Sequence, residues 1–144
     1  MSKVSLKDFD LNTLNFKKVT DQLYNVDEII FSTPKLTIKK IDELMLLENK
    51  NNKFYLKILE FEEFLSKKFN RSVKTLVTPD TINLKVPFHY AKPTLRVLHN
   101  DRLFNYYHLK ENDCVIGDIS FSKIWINDKI NYQLKLVTLN LLKK

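Results

Sequence analysis

The stretch whose reading decides the fold is Asp113–Val137, DCVIGDISFSKIWINDKINYQLKLV. It reads as two strands joined by the polar turn Asn127-Asp128-Lys129. Successive strand side chains alternate faces, so Ile124 and Ile126 point one way and Lys123 and Trp125 the other. On the second strand Tyr132, Leu134 and Leu136 share one face, and Asn131, Gln133 and Lys135 share the opposite one. One face of this hairpin is apolar enough to be core. The other sets the only tryptophan of the chain beside lysines. The same indole also suits a core or edge-capping position, and the hairpin alone leaves the two readings open.

Upstream of the hairpin the chain is again rich in strand signals. Phe9, Leu11, Leu14 and Phe16 lead into Lys17-Lys18-Val19, a first strand. Glu28–Ile41 is β-rich, with a break at Pro34, which cannot donate to a ladder. Asp42–Lys53, with its run ENKNNK, has the character of a loop. Phe54–Leu59 alternates as a third strand. The period then changes: Phe61, Phe64, Leu65, Phe69, Val73 and Leu76 recur at helical spacing up to Thr78-Pro79-Asp80. Acidic Glu60, Glu62 and Glu63 at the start of that helix read as partners of its dipole. Ile82–Phe88 and Thr94–His99 are further strands, and periodicity puts Phe88 in the core beside Val86 and Leu84. Asn100-Asp101-Arg102 and Lys110–Asp113 are turns. With a single glycine, turns must rely on Asn and Asp. The expected architecture is a mainly β, OB-fold-like antiparallel barrel, with one helix after the third strand and extra C-terminal strands.

Composition narrows the function. The 144 residues form one domain, 1–144, with enough length for a core. No apolar run reaches the roughly 20 residues of a membrane helix, and MSKVSLKDFD does not read as a secretory signal. The lone Cys114 excludes an intrachain disulfide and reads as a small buried side chain. Net charge is +7. Residues 1–50 balance eight lysines against eight acids, so the excess lies after residue 50. The basic residues are almost all Lys, with Arg only at positions 71, 96 and 102. Lysine neutralises phosphate as a point charge, whereas arginine reads guanine with two parallel bonds. The balance favours sequence-tolerant contact with an anionic polymer.

Catalytic patterns are missing. His89, His99 and His108 lie in three segments without helical i, i+4 spacing. One glycine cannot build a phosphate-cradling loop, and there is no serine elbow. The chain reads as a non-enzyme with no metal and no cofactor. Alternation instead collects outward sets that each carry lysine: Lys35, Thr37 and Lys39; Tyr55 and Lys57; Lys85, Pro87 and His89; Lys123 and Trp125; Asn131, Gln133 and Lys135. Tyr90, Tyr106 and Tyr107 are loop candidates for stacking. Lysines on outer strand faces also serve solubility and guard edges.

Val86-Pro87-Phe88 with Tyr90, then Ile124-Trp125, a short polar turn and Tyr132–Val137, resemble the single-stranded-DNA-binding proteins of large cytoplasmic DNA viruses and cytoplasmic linear plasmids. Phe31, Thr33, Pro34, Lys35 and Leu36, and the helix after Phe54-Tyr55-Leu56-Lys57, are similar as well. The likeness runs over residues 28–137 as short scattered matches. It departs in having neither Gly nor Trp after the Tyr132 strand, and Lys143-Lys144 in place of an acidic tail. The resemblance implies sequence-independent binding of single-stranded DNA in replication, in the host cytoplasm. Bases would stack on aromatics and phosphates would meet lysines. The nucleic-acid-binding set is then Lys35, Lys39, Tyr55, Lys57, Lys85, His89, Tyr90, Tyr106, Tyr107, Lys123, Trp125 and Lys135. Expected partners are single-stranded DNA, replication proteins and further copies of the chain, with no membrane. The alternatives are an interaction subunit of a viral or plasmid replication or transcription complex, and an RNA-binding β-barrel.

Overall fold

Asn51 decides where the helix begins. Its side chain accepts the backbone N–H of Phe54 at 3.0 Å, satisfying one of the donors a helix start leaves open. Helix α1 then runs Asn52–Phe69, and Asn70 ends it in the left-handed conformation at φ 53°. Phe54, Ile58, Phe61 and Leu65 form its buried stripe. The segment expected as a third strand is therefore the first turns of the helix, and Tyr55 and Lys57 are helical. Phe54 and Ile58, four apart, fit both periods, but the Asn51 cap and the continuing stripe select the helix, and Leu56, which only a strand would place with them, faces solvent. Val73 and Leu76 lie beyond its end.

The computed structural model describes residues 3–4 and 11–142, so the expected position of Phe9 lies outside the described residues. Around α1 the chain is mainly β. The N-terminal strands are β1 (Lys3–Val4), β2 (Phe16–Lys18), β3 (Leu23–Ser32), β4 (Leu36–Lys40) and β5 (Leu44–Glu48). After the helix come β6 (Val77–Thr78), β7 (Thr81–Lys85), β8 (Phe88–His89), β9 (Lys92–Pro93), β10 (Arg96–His99) and β11 (Arg102–Leu103). The last part is β12 (Cys114–Ile126), β13 (Ile130–Tyr132) and β14 (Lys135–Leu141).

Five strands pair in a ring, β4–β5–β7–β14–β12 and back to β4. The β7–β14 contact is parallel at Lys85↔Lys135, fastened by the Lys85 N–H donating to the Leu134 carbonyl at 2.9 Å. The other contacts of the ring are antiparallel. The helix enters between the second and third ring strands, and the C-terminal strand β14 closes the ring instead of decorating it. Both points correct the expected layout. So does β5: Met45 and Leu47, inside the stretch expected as a loop, are fully buried and pair with Leu84 and Ile82. The polar run Glu48–Lys53 that follows them masked a four-residue apolar segment, Leu44–Leu47, with two core positions.

The opening hairpin forms with Ile124↔Tyr132, Trp125↔Asn131 and Ile126↔Ile130 in register. Ile124, Tyr132, Leu134 and Leu136 are buried as alternation demands. Phe88 is not core. It is 43% exposed, because β7 ends at Lys85 and Pro87, lacking an N–H, cannot extend the ladder. Cys114 is half-buried, its Sγ 3.8 Å from the Thr37 hydroxyl. Among the described residues no helix is long and apolar enough to cross a membrane.

The helix packs over one end of the core. Phe61 meets Phe121 edge-on with ring centres 4.8 Å apart, and Tyr132 at 5.6 Å. Phe69 reaches Phe16 and Tyr24 at 5.2 and 5.0 Å. Phe61 and Phe121, both buried, are each worth about 1.5–3 kcal/mol in removed surface, and the half-buried rings less. Glu62, buried mid-helix, accepts from the Tyr132 hydroxyl, from the Thr75 hydroxyl at 3.0 Å and from the Leu76 N–H at 3.2 Å. It is thus a structural acceptor, not a dipole partner at the helix start. Burial, with the Glu62 charge second, holds the Tyr132 phenol well above its ordinary 10.0. The folded state favours the neutral phenol, so this stabilisation is complete below about pH 10 and is lost as pH rises further. Tyr132→Phe should cost roughly 2 kcal/mol in urea unfolding at neutral pH, the scale of a hydrogen bond to a charged group. Its stability should fall less steeply than the wild type's above about pH 10. Equal alkaline slopes in the two proteins would remove the link.

Candidate functional site

The β12–β13 hairpin sets Trp125 on the outward side of a strand whose inward neighbour, Ile124, is fully buried. Trp125 is half-buried and lines a groove of about 310 Å³. Its other walls include Lys74, Lys85, Asn131, Gln133 and Leu44. Lys85 and Leu44 arrive as register partners on β7 and β5, with their side chains on the outer face. Lys74 arrives by a different route. Its N–H donates to the Ile130 carbonyl at 2.9 Å, and the Ile130 N–H donates to the Ser72 carbonyl at 2.8 Å. These bonds stitch the chain after the helix to β13. Arg71 donates to the carbonyl of Asn127 at 3.1 Å and steadies the hairpin turn.

The charges in the groove are uneven. No carboxylate lies within ion-pair distance of Lys74 or Lys85 among the described residues. Glu43 is the acid on the rim. A second concavity of about 510 Å³ continues over the same outer face and shares Glu43, Leu44 and Asn83 with the first. Its Lys40 pairs with Asp42 at 3.9 Å. Beyond Asp42 stands an aromatic group, with Phe88 and Tyr107 edge-on to Tyr106 at 6.2 and 5.4 Å. The Tyr106 phenol is raised from its ordinary value by burial first, then by Tyr107 and Asp42.

The residues expected at a binding surface divide accordingly. Trp125 and Lys85 share the groove. Tyr106 and Tyr107 form the aromatic group beyond Asp42. His89 and Tyr90 sit on the separate β8–β9 hairpin, ring centres 4.2 Å apart. Lys135 is half-buried at the ring closure opposite Lys85. Lys123 is exposed opposite Asn25, one alternation away from Trp125. Lys35 is exposed in the β3–β4 connection. Three do not belong to a strand face free for a ligand. Lys39 is paired with Glu48 at 3.7 Å, Lys57 with Glu60 at 3.4 Å along the helix, and Tyr55 is half-buried against the core. Lys74, Leu44 and Asn83 were not expected. Reading Asn70 as the helix stop would have released Lys74 from the helix, since Asn tolerates the left-handed conformation there.

A third cavity of about 380 Å³ holds His99, Phe104, His108 and Lys110, where the His99 Nδ1 lies 3.1 Å from the Leu141 carbonyl. No group of three or more metal-ligating side chains is found among the described residues. The main groove offers a flat indole, two cationic side chains and three amides, which suits stacking and phosphate contact. No family model and no curated protein matches the chain. The position of Trp125 leads to a measurable expectation. Its fluorescence should be quenched more strongly by iodide than by caesium at low salt, because Lys74 and Lys85 attract anions. Equal quenching by the two ions would contradict that field.

Proposed function

We propose that this chain is a sequence-independent single-stranded-DNA-binding protein acting in replication, built on an OB-like barrel. The observation that carries the reading is the half-buried Trp125 in a groove with Lys74 and Lys85, neither paired with a carboxylate among the described residues, on the outer face of the second and third ring strands. The second and third strands of an OB barrel, with its first-to-second and fourth-to-fifth connections, make its oligonucleotide surface. Here those connections carry Glu43 and the Asn131–Gln133 segment, and both line the groove. The ring order, with the fifth strand lying between the third and the fourth, is a Greek-key crossing that supports the same fold. The resemblance carried by Pro87-Phe88, Ile124-Trp125 and Tyr132–Val137 extends the proposal to a cytoplasmic viral or plasmid replication system.

A base stacked on Trp125 contributes roughly 1–3 kcal/mol, and the lysines give a salt-dependent term of about 0.7 released ions per phosphate neutralised on a single strand. Titration with poly-dT should quench Trp125 fluorescence at low salt, with affinity falling linearly in log–log against salt. Trp125→Ala should weaken binding about 5- to 150-fold without unfolding the protein. Lys85→Ala should weaken all sequences alike and lower the salt slope by about one or less. Absence of quenching and of a gel shift at low salt would end the proposal. Stronger competition by poly-U than by poly-dT would make RNA the ligand.

A further inference from the structure

Six residues among those described have positive φ. Asn70, Asn100, Asp101 and Asn112 are the residue types that tolerate it. The other two, Tyr90 at 51° and Ala91 at 62°, are not. They are the central pair of the two-residue turn between His89 and Lys92, where both φ values must be positive and Asn-Gly is the favoured sequence. The chain solves the same problem with ordinary chemistry at Asn100-Asp101, between His99 and Arg102. A bulky aromatic in this position is a backbone outlier, and such outliers cluster at active sites and ligand clamps. Tyr90 is 88% exposed, the most exposed of the large hydrophobic side chains, so the strain is not offset by burial.

The hairpin that holds it is rigid at its base. Pro93 stands opposite Phe88, and the Thr94 N–H donates to the Pro87 carbonyl at 2.9 Å. Tyr90 rests on His89 at its root, and Lys92 faces His89 across the turn. The hairpin also leaves β7 directly after Lys85, a wall of the Trp125 groove. Five residues separate Lys85 from Tyr90, so the tip stands at most about 17 Å along the chain from the groove. Phe88, on the same hairpin, contacts the Tyr106–Tyr107 pair.

We infer that the Tyr90 tip is a second base-stacking station for the same single strand, separate from Trp125 and reached only by a strand several nucleotides long. This rests on the reading of the Trp125 groove as a single-strand site. The tip supplies an exposed ring backed by His89, and Lys92, opposite His89 in the hairpin, supplies a cation for the adjoining phosphate. A rigid hairpin presents that ring with little ordering cost on binding.

The test is an anisotropy titration of labelled oligothymidylates of about four and about sixteen nucleotides, the limits of what one OB domain covers. Wild type is compared with Trp125→Ala, Tyr90→Ala, Tyr90→Phe and the double variant Tyr90→Asn/Ala91→Gly. Trp125→Ala should weaken both oligonucleotides. Tyr90→Ala should weaken the longer one roughly tenfold and leave the shorter one unchanged, and Tyr90→Phe should restore it. The double variant should lose the same affinity while its Tm rises by a few degrees, because the turn strain is gone. Tyr90 variants that bind both lengths as wild type does, or that weaken both equally, would overturn the second station. A wild type that binds neither length would overturn the single-strand reading itself, and the station with it.

Discussion

One buried carboxylate holds the parts of this molecule in place. Glu62 sits on the helix and accepts hydrogen bonds from Tyr132 on β13 and from Thr75 and Leu76 in the segment that follows the helix. A carboxylate out of water is costly unless its oxygens are satisfied, and here three donors from two other parts of the chain converge on one of them. The arrangement therefore constrains three elements at once. Any drift of the helix, of the 75–76 segment or of β13 would strand a charge or a donor in the core.

The groove inherits this constraint. Tyr132 and Leu76 line its floor, and both answer to Glu62. Asn131 flanks Tyr132 and Lys74 lies just before Thr75, so the polar walls of the groove are placed by a bond made in the core. Trp125 is set by the hairpin register and Lys85 by the ring, whose parallel closure rests on one register pair. The side chains that line the groove are supported from behind by buried groups. That is the usual condition for a surface that binds without first reorganising.

Much of the fold was legible in local pattern. The β12–β13 hairpin, the break at Pro34, the Asn100-Asp101 turn and the outward position of Trp125 beside an inward Ile124 all follow from alternation and turn chemistry. The misses also have local causes. Phe54 and Ile58, four apart, satisfy the strand and the helix period alike, and the Asn51 cap with the stripe continuing through Phe61 and Leu65 separates them. Met45 and Leu47 belong to the short apolar run Leu44–Leu47, overshadowed by the polar run Glu48–Lys53 that follows it, and β7 offers them a ladder and a core. Phe88 obeys the parity of Leu84 and Val86, but Pro87 takes the chain off the sheet before parity can act.

The amino-acid sequence by itself determined the mainly β character, the amphipathic helix, the excess of lysine and the pairing of Trp125 with a lysine-bearing strand face. These depend on neighbours within a few residues, where sterics and periodicity dominate. The tertiary structure alone decided that β14 closes a ring onto β7, that Glu62 is a core acceptor, and that Lys74 and Lys85 meet at Trp125. It also separated Lys39 and Lys57, held by acids, from Lys74 and Lys85, which no carboxylate among the described residues pairs. Those outcomes depend on contacts between segments far apart in the chain, and on which charges burial and pairing leave free. No periodicity in the sequence records them.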